Sequence, residues 1–290
     1  MNGSNRYNSE LNPASPRVVK ELLRKHGFRP KKRLGQNFLV DGNILKKIVA
    51  AAEICPEDFI LEVGAGIGVL TKVLADKAKM VTAVETDRAL APLLQEVLGT
   101  RENVRLVFDD ILKTNLQSLT PANMTLKVVA NIPYYITSPL LFRLLEAKVR
   151  WKLLVFLVQK EVGERITAVP GNDAYGALTV GIQHYAAVKM VGTVSPSVFL
   201  PRPKVSSVIL RLIPKEIKSS AETERVFRLL VRTVFTFRRK KLANALRRIV
   251  PELGGEKRVQ EAFRAMNLDP GERGENLSPE QFLTLASHLT

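Results

Sequence analysis

Hydrophobic residues in the first two thirds of the chain fall into short runs, and most runs are followed by a segment with helical spacing. The five clearest strand-like runs are DFILEVG, MVTAVE, NVRLVF, LKVVANI and KLLVFLVQ. Between them, apolar residues recur at the three- to four-residue spacing of amphipathic helices. Short apolar strands separated by helices are typical of a mostly parallel sheet that is covered on both faces. The pattern therefore predicts an α/β fold.

The pattern changes at the end of this region. Two consecutive strand-like segments, AVKMVGTVS and VSSVILRLI, have no helix between them and predict a C-terminal antiparallel hairpin in the sheet. The polar linker PKEIKSSAETE follows, and all later segments have helical spacing. We expect a disordered tail over residues 1–15, an α/β domain over residues 16–213 and a small all-α domain over residues 221–290.

Positive charge is clustered along the chain. The 290 residues include 44 Lys and Arg against 28 Asp and Glu, which gives a net charge of +16. Residues 1–40 alone hold nine basic and two acidic residues. Clustering favours a nucleic-acid partner over a merely solubilising surface, because cations that neutralise phosphates release counterions. The candidate phosphate-binding residues are Lys31, Lys32 and Arg33 in one cluster and Arg238, Arg239, Lys240 and Lys241 in the other.

Other features restrict the compartment. No apolar run approaches the roughly eighteen residues needed to cross a bilayer, and the polar start of the chain lacks a hydrophobic signal core. Cys55 is the only cysteine, which excludes an internal disulfide and fits a reducing environment. We expect a cytoplasmic protein without a membrane partner.

A glycine-rich turn, ILEVGAGIGVLT, is the first candidate binding site. Gly64, Gly66 and Gly68 allow a ligand to approach the backbone before a helix N-terminus. Glu85 ends the next strand, where a carboxylate can accept from ribose hydroxyls, and Asp109 and Asp110 follow the third strand, near the expected adenine amino group. The spacing differs from the dinucleotide motif, and a tight turn without a ligand is the alternative. The set favours S-adenosylmethionine on a Rossmann-like methyltransferase fold.

The segment NIPYYI, after the fourth strand, is the candidate catalytic motif. Adenine N6 is a poor nucleophile, and acceptors around the amine would help it to become pyramidal. The side-chain oxygen of Asn131 and the carbonyl of Ile132 could be these acceptors, while Pro133 fixes the local φ. Tyr134 offers a stacking face, whereas Tyr135 is predicted to pack. The alternative is a proline turn with two packed tyrosines.

A second aromatic candidate lies in SVFLPRPKVSSVIL. Phe199 falls at the tip of the predicted hairpin, where its ring could sandwich a flipped base against Tyr134. A core phenylalanine at a hairpin end is the alternative.

The ordered motifs together resemble those of the small-subunit ribosomal RNA adenine dimethyltransferases over nearly the full length. The segments that carry the resemblance are KKRLGQNFL, EVGAGIG, NIPYYI, FLPRPKVSS, FTFRRKKLANAL and ENLSPEQFLTLA. The resemblance implies N6,N6-dimethylation of two adjacent adenosines in the 3′-terminal hairpin of small-subunit ribosomal RNA, late in subunit assembly. It implies S-adenosylmethionine as cofactor, S-adenosylhomocysteine as product and a pre-small-subunit particle as partner. A monomer without a metal site is expected.

The resemblance also implies residue roles. The cofactor-binding residues would be Asn37, Leu39 through its backbone, Gly64, Gly66, Glu85, Asp110 and Asn131. The catalytic residues would be Asn131, Ile132, Pro133, Tyr134 and Phe199. The sequence departs from the family at Tyr135, where Asn is frequent, and at Lys241 and Ala243, where Thr and Arg are common. These departures bear on local RNA contacts rather than on the amine-binding groups.

Three other functions compete with this one. A large-subunit ribosomal RNA dimethyltransferase of the macrolide-resistance type shares the glycine loop and the catalytic motif, but GQNFL and ENLSPEQF argue against it. A DNA N6-adenine methyltransferase would more often carry an acidic DPPY-type motif. A basic RNA-binding assembly factor could retain the fold without transferring methyl groups.

Overall fold

The computed structural model describes residues 14–121 and 124–290. The strands are β1 Phe38–Leu39, β2 Phe59–Val63, β3 Met80–Glu85, β4 Val104–Phe108, β5 Leu126–Asn131, β6 Trp151–Gln159, β7 Ala186–Val194, β8 Phe199–Leu200 and β9 Ser207–Pro214. The helices are α1 Pro16–Lys25, α2 Gly42–Ala51, α3 Val69–Ala75, α4 Ala91–Leu98, α5 Thr137–Leu145, α6 Lys160–Ile166, α7 Ala177–Tyr185, α8 Ala221–Thr236, α9 Leu242–Leu246, α10 Glu256–Ala265 and α11 Pro279–His288. The tail predicted over residues 1–15 lies outside the described residues except for Ala14 and Ser15.

The main sheet has seven strands in the order β4-β3-β2-β5-β6-β9-β7. β2 pairs in parallel with β3 and β5, and β4 and β6 continue the parallel arrangement on the two sides. β9 runs antiparallel to β6 and lies between β6 and β7. The predicted α/β fold, mostly parallel with an antiparallel end, is confirmed. The central strands are mostly apolar because both of their faces are buried, as at Leu61, Val81 and Val128.

The strand order creates a crevice beside β2. Within the sheet, β3, the next strand along the chain, is paired with one edge of β2, and β5 is paired with the other edge. Parallel strands end at one common edge, so the residues after Val63, Glu85, Phe108 and Asn131 lie along the same edge. A switch in strand order at such an edge is where open α/β sheets bind ligands.

The chain divides into two compact units. The first contains the described residues up to Gly163 together with Lys189–Ile213, and the second contains Glu164–Val188 together with Pro214–Thr290. The polar linker thus begins the C-terminal part of the second unit, whereas α7, expected in the α/β domain, groups with the C-terminal helices. Its neighbour Tyr175 is fully buried in this helical core and donates a hydrogen bond from its hydroxyl to the carbonyl of Leu277 at 2.7 Å.

The two units have separate apolar cores of their own. Across the described ranges, none of the helices combines the length and apolar character that spanning a bilayer requires.

Candidate active site

A cavity of about 300 Å³ opens at the carboxyl edge of the first unit, where β2 and β5 lie side by side. Its wall contains the glycine turn after β2, the end of β3, the loop after β4, the NIPYYI segment after β5 and the segment Leu34–Phe38. The residues predicted at separate strand ends therefore meet around one space. The predicted residues that line it are Asn37, Gly64, Gly66, Glu85, Asp110, Asn131, Ile132, Pro133 and Tyr134.

The glycine turn keeps this space open. Gly64 and Gly66 both have positive φ, at 80° and 57°, a conformation that residues with a Cβ rarely adopt. A Cβ on Gly64 would lie 3.5 Å from the carbonyl oxygen of Asn131, and one on Gly66 would lie 3.3 Å from the ring of Phe38. Side chains at these positions would narrow the cavity and crowd its wall.

Glu85 is the most buried acid of the cavity wall, with 7 % of its surface exposed. Its Oε2 accepts from the Gly66 backbone N–H and its Oε1 from the Asp87 backbone N–H, both at 2.8 Å. Burial raises the pKa of Glu85, against the opposing effect of these backbone donors. Since each carboxylate oxygen can accept two hydrogen bonds, the side chain retains acceptor capacity for a ligand.

Asp110 lies in the loop after β4, at the same edge. Its Oδ1 accepts from the Leu112 backbone N–H at 3.0 Å, and its Oδ2 lies 4.0 Å from the Lys113 ammonium. The first contact fixes the direction of the side chain, and the second oxygen is available to an amino group. Asp109, the other acid predicted at this strand end, also lines the cavity.

Asn131, the last residue of β5, has a defined amide orientation. Its Nδ2 donates to the backbone carbonyl of Asn37 at 3.0 Å, and only the amide nitrogen can be this donor. This contact fixes which end of the amide is nitrogen and which is oxygen, so Oδ1 is the atom left to accept a hydrogen bond. Ile132 is held next to it, since its N–H donates to the carbonyl of Leu157 at 3.2 Å, and Pro133 follows with φ −55°.

The two tyrosines of the motif differ in environment. The Tyr134 hydroxyl shares a 2.8 Å hydrogen bond with Ser207 Oγ at the start of β9, which fixes the ring, and burial raises the pKa of this hydroxyl. Tyr135 is 58 % exposed and lines the cavity, so the prediction that it packs is wrong. Its ring borders Gly35, whose Cβ, if present, would lie 3.5 Å from Tyr135 Cδ1.

Phe199 and Leu39 occupy a different position from the other predicted residues. They pair across the short antiparallel ladder of β1 and β8, and both belong to the core of the first unit, with 4 % and 6 % exposure. Neither is among the residues that line the cavity. The stacking role of Phe199 stays a prediction, and it would require the ring to become accessible.

In one wall of the cavity, the segment Leu34–Phe38, the sequence predicted a role only for Asn37. Gly35 turns this segment with φ 61°. Gln36 donates a hydrogen bond to Asp87, and Asp87 also forms an ion pair with Lys31. The sequence had predicted Lys31 only as a phosphate contact. These contacts join residues more than fifty positions apart, so no local pattern could have revealed them.

The basic clusters contain both paired and accessible cations. Lys32 and Arg33 are exposed, as are Arg239, Lys240 and Lys241. Arg238 instead donates to Glu275 and to the backbone carbonyls of Asp173 and Asn172, within the second unit.

A shallow recess lies beside the second basic cluster. It is lined by Phe237, Lys240, Asn244, Arg247 and Arg248. The Arg248 guanidinium lies 4.4 Å from the centre of the Phe237 ring, a cation–π distance. Lys240, Arg247 and Arg248 thus place three cationic side chains at one recess, and Arg248 lies against its aromatic ring.

Comparisons with known proteins agree with this arrangement. The family model described as "Ribosomal RNA adenine dimethylase" matches residues 27–290. The ribosomal RNA small subunit methyltransferase A of Alkaliphilus oremlandii is 44% identical over 281 residues, which cover 95% of this chain and 97% of that protein. The protein of the same name from Bacillus cytotoxicus is 42% identical over 283 residues, which cover 95% and 97%.

Solved structures show the same similarity. A dimethyladenosine transferase from Plasmodium falciparum superposes with a TM-score of 0.74 and 29% identity, over 86% of this chain and 95% of that chain. The 23S rRNA methyltransferase ErmE superposes with a TM-score of 0.67 and 30% identity, over 87% and 99%.

Proposed function

The chain belongs to the ribosomal RNA adenine dimethylase family, and we propose that it dimethylates adenosine N6 in the RNA of the small ribosomal subunit. Family membership makes it an S-adenosylmethionine-dependent RNA methyltransferase. The small subunit is supported by the names of curated relatives that are 42–44% identical over nearly the whole chain.

The observation that carries the proposal is the orientation of the Asn131 amide. Because Nδ2 is bonded to Asn37, Oδ1 is the atom available to a target amine. Together with the carbonyl of Ile132, it would accept the two N6 hydrogens and favour a pyramidal nitrogen whose lone pair points along the transfer direction. Such acceptors act by electrostatic preorganisation and by orientation.

Tyr134 would hold the plane of the target base. Its hydroxyl is anchored by Ser207, so the ring is fixed before the base arrives, and a stacked base gains about 1–3 kcal/mol. When bound, the cofactor supplies an electrophilic methyl group on a sulfonium. The proton of the methylated amine can pass to water after transfer, so the site needs no dedicated base. Phe199 is the proposed second stacking residue.

The cavity fits the proposed cofactor. The two positive-φ glycines leave a cradle that a Cβ would partly fill, and Glu85 has acceptor capacity where a ribose diol would lie. We propose that Glu85 holds the ribose and Asp110 the adenine amino group. Asn37, the backbone of Leu39, Gly64, Gly66 and Asn131 would surround the methionine part.

The proposed RNA surface consists of the two basic clusters. Its members are Lys31, Lys32, Arg33, Arg238, Arg239, Lys240 and Lys241. Exposure of Lys32, Arg33, Arg239 and Lys240 supports direct phosphate contacts. Lys31 and Arg238 already have protein partners, so their contribution to RNA binding would be smaller.

We further propose that the target is a pair of adjacent adenosines in the 3′-terminal hairpin, that a pre-small-subunit particle is the natural substrate, and that the chain acts as a cytoplasmic monomer. The second candidate is a large-subunit ribosomal RNA dimethyltransferase. It is favoured by the 30% identity with the 23S rRNA methyltransferase ErmE, which is 99% covered.

One assay separates the two candidates. Purified small- and large-subunit particles that lack dimethyladenosine are incubated with the protein and tritiated S-adenosylmethionine, and the modified nucleotides are mapped. Label in two adjacent adenosines near the 3′ end of small-subunit RNA is expected. Label only in large-subunit RNA would replace the proposal with the second candidate.

A further inference from the structure

Asp87 has more partners than a helix-capping aspartate requires. It lies two residues after Glu85, is 6 % exposed, and caps the following turn by accepting from the Ala89 N–H at 3.2 Å. The same oxygen, Oδ1, also accepts from Lys31 Nζ at 2.7 Å, and Oδ2 accepts from Gln36 Nε2 at 2.8 Å. Although burial opposes its charge, the donors hold the pKa of Asp87 below its usual range.

These contacts lead directly to the proposed ribose carboxylate. The backbone N–H of Asp87 donates to Glu85 Oε1 at 2.8 Å, while the Gly66 N–H donates to the other oxygen. The position of Asp87 therefore helps to set the direction of the Glu85 side chain. A ligand that binds Glu85 acts on the same carboxylate that Asp87 contacts.

The other side of the same segment contacts the catalytic motif. The carbonyl of Asn37 accepts from Asn131 Nδ2 at 3.0 Å. The Gly35 backbone lies against Pro133, whose Cβ would be 3.4 Å from a Cβ on the glycine. The segment is also closed on itself, because the Lys31 N–H donates to Gln36 Oε1 at 2.7 Å. Residues Lys31–Asn37 thus contact both sides of the site. Lys31 and Gln36 bind Asp87, which in turn contacts Glu85. Asn37 binds the Asn131 amide that would hold the target amine.

The segment also carries two exposed cations of the proposed RNA surface. Lys32 and Arg33 lie between Lys31 and Gln36, in a short 3₁₀ turn that spans Lys32–Leu34. Attachment of the segment through Lys31 and Gln36 therefore determines where these two side chains present their charge.

We propose that Asp87 is a positioning residue that holds the segment Lys31–Asn37 against the cofactor site, so that S-adenosylmethionine and RNA each strengthen the binding of the other. The inference rests on the proposed function. In one state the segment is attached through Asp87, and in the other it is released. A ligand that favours the attached state at either site favours it for both, and thermodynamic linkage makes the effect reciprocal.

The test measures this reciprocity on the full chain. The dissociation constant of S-adenosylhomocysteine is determined by calorimetry with and without a synthetic hairpin RNA that has the sequence of the 3′ end of small-subunit RNA. In the wild type the RNA is expected to tighten binding about tenfold, within the common range for coupled sites. The coupling ratio is the dissociation constant measured without RNA divided by that measured with RNA. In Asp87→Asn this ratio should fall towards one.

Three further variants guard against a trivial explanation. Gln36→Ala and Lys31→Gln remove the other partners of the same contacts at half-buried positions, so they test the proposal even if Asp87→Asn folds poorly. Both should reduce the coupling ratio severalfold. Asp76→Asn, which breaks a 2.7 Å ion pair with Arg101 away from the cavity, should keep the wild-type ratio.

Limited trypsin digestion supplies a readout independent of affinity. Cleavage after Lys31, Lys32 and Arg33 should be slowed by S-adenosylhomocysteine in the wild type and in Asp76→Asn but not in Asp87→Asn. Steady-state kinetics should show raised KM values for both substrates and a kcat that changes less. A purely structural role would lower the concentration of active enzyme without changing the coupling ratio.

The outcomes distinguish this inference from the proposed function. Absence of S-adenosylhomocysteine binding to the wild type would overturn both. Binding and RNA methylation by the wild type, with no coupling between the ligands or with unchanged coupling in all three contact variants, would overturn only the role of Asp87.

Discussion

Polar groups at the two ends of the parallel strands differ in how completely protein partners satisfy them. At the amino end, Lys127 has a side chain that is 3 % exposed, and it donates to Asp58 at 2.7 Å and to the carbonyl of Glu53 at 2.5 Å. Asp58 accepts in addition from the Cys55 N–H at 2.8 Å. At the carboxyl end, Glu85 and Asn131 are each oriented by protein contacts but retain acceptor capacity that faces a cavity.

This difference separates structure from function. A buried charge whose partners are all in the protein stabilises one arrangement and has nothing left to offer a ligand. A group that protein contacts orient, but that can still accept further hydrogen bonds, is preorganised for binding, because its direction is set before the ligand arrives. The two strand ends therefore predict different consequences of mutation.

The largest effect is expected at the carboxyl end. Asn131→Ala removes the oriented acceptor and should reduce methyl transfer by about 10²–10³-fold, the range known for the loss of one preorganised contact. The affinity for S-adenosylhomocysteine should weaken only about threefold, because most proposed cofactor contacts remain. Transfer of tritiated methyl groups and calorimetry measure the two quantities.

Asn131→Asp is the informative companion variant. It retains an oxygen but cannot donate to the Asn37 carbonyl, so the orientation is lost. Activity close to that of the wild type in either variant would remove the proposed role of the amide.

The next effect is expected at the amino end and concerns stability rather than activity. Lys127→Met leaves Asp58 largely buried without its cation, which should lower the free energy of unfolding by about 3 kcal/mol. The KM for the cofactor should remain unchanged at temperatures where the variant is folded. Urea unfolding measures the loss.

A matched surface variant isolates burial as the cause. Lys79→Met breaks an ion pair of 3.8 Å between side chains that are 55% and 86% exposed, and it should change stability by less than about 0.5 kcal/mol. Equal losses in the two variants would mean that the Lys127 pair acts only as a surface contact.

The same contrast explains which parts of the site the sequence could predict. The glycine turn, Glu85 and Asn131 are found at strand ends, and their meeting follows from the rule that parallel strands end at one edge. The exposed ring of Tyr135 and the internal partners of Arg238 follow no such rule. They depend on pairs formed between segments that are distant along the chain, such as Arg238 with Glu275 and Lys31 with Asp87.

Phe199 illustrates the same limit for packing. The proline-rich segment around it predicts a loop tip, but a two-residue ladder between Leu39 and Phe199 places both residues in the core of the first unit. A two-residue strand is too short to produce a recognisable alternation of apolar and polar positions.

Glu62 belongs to neither class and provides a third test. It lies on β2 with no exposed surface, and neither carboxyl oxygen has a hydrogen-bond partner within the described part of the chain. Burial raises the pKa of Glu62 from 4.5 to about 8, while the Thr71 side chain opposes this and the Glu85 charge adds to it. The folded protein then keeps a proton that the unfolded chain releases, so stability falls as pH rises between these values.

Glu62→Gln should remove that dependence. The variant is expected to gain roughly 3.5 kcal/mol in unfolding free energy relative to the wild type between pH 5 and pH 8. Urea unfolding at both pH values measures the gain, with Glu57→Gln, an 86% exposed position, as control. Stability curves that run parallel for the wild type and Glu62→Gln would show that Glu62 does not titrate in this window.

The smallest effect is expected in the second unit, where a basic surface contains both cations that are paired within the protein and cations that are exposed. Arg239 and Lys240 are exposed, so the double variant Arg239→Glu, Lys240→Glu should weaken binding of the hairpin RNA about tenfold near 0.1 M salt. The slope of log affinity against log salt should become shallower by about 1.5, as expected for two lost phosphate contacts.

Arg238→Ala should instead lower stability by about 1–2 kcal/mol and leave the slope nearly unchanged, because its donors are already bonded to Glu275 and two carbonyls. Reversal of Lys257, which is 91% exposed on α10, controls for net charge. A slope that changes equally at Lys257 would mean that the second cluster contributes only general charge, and that RNA is bound elsewhere.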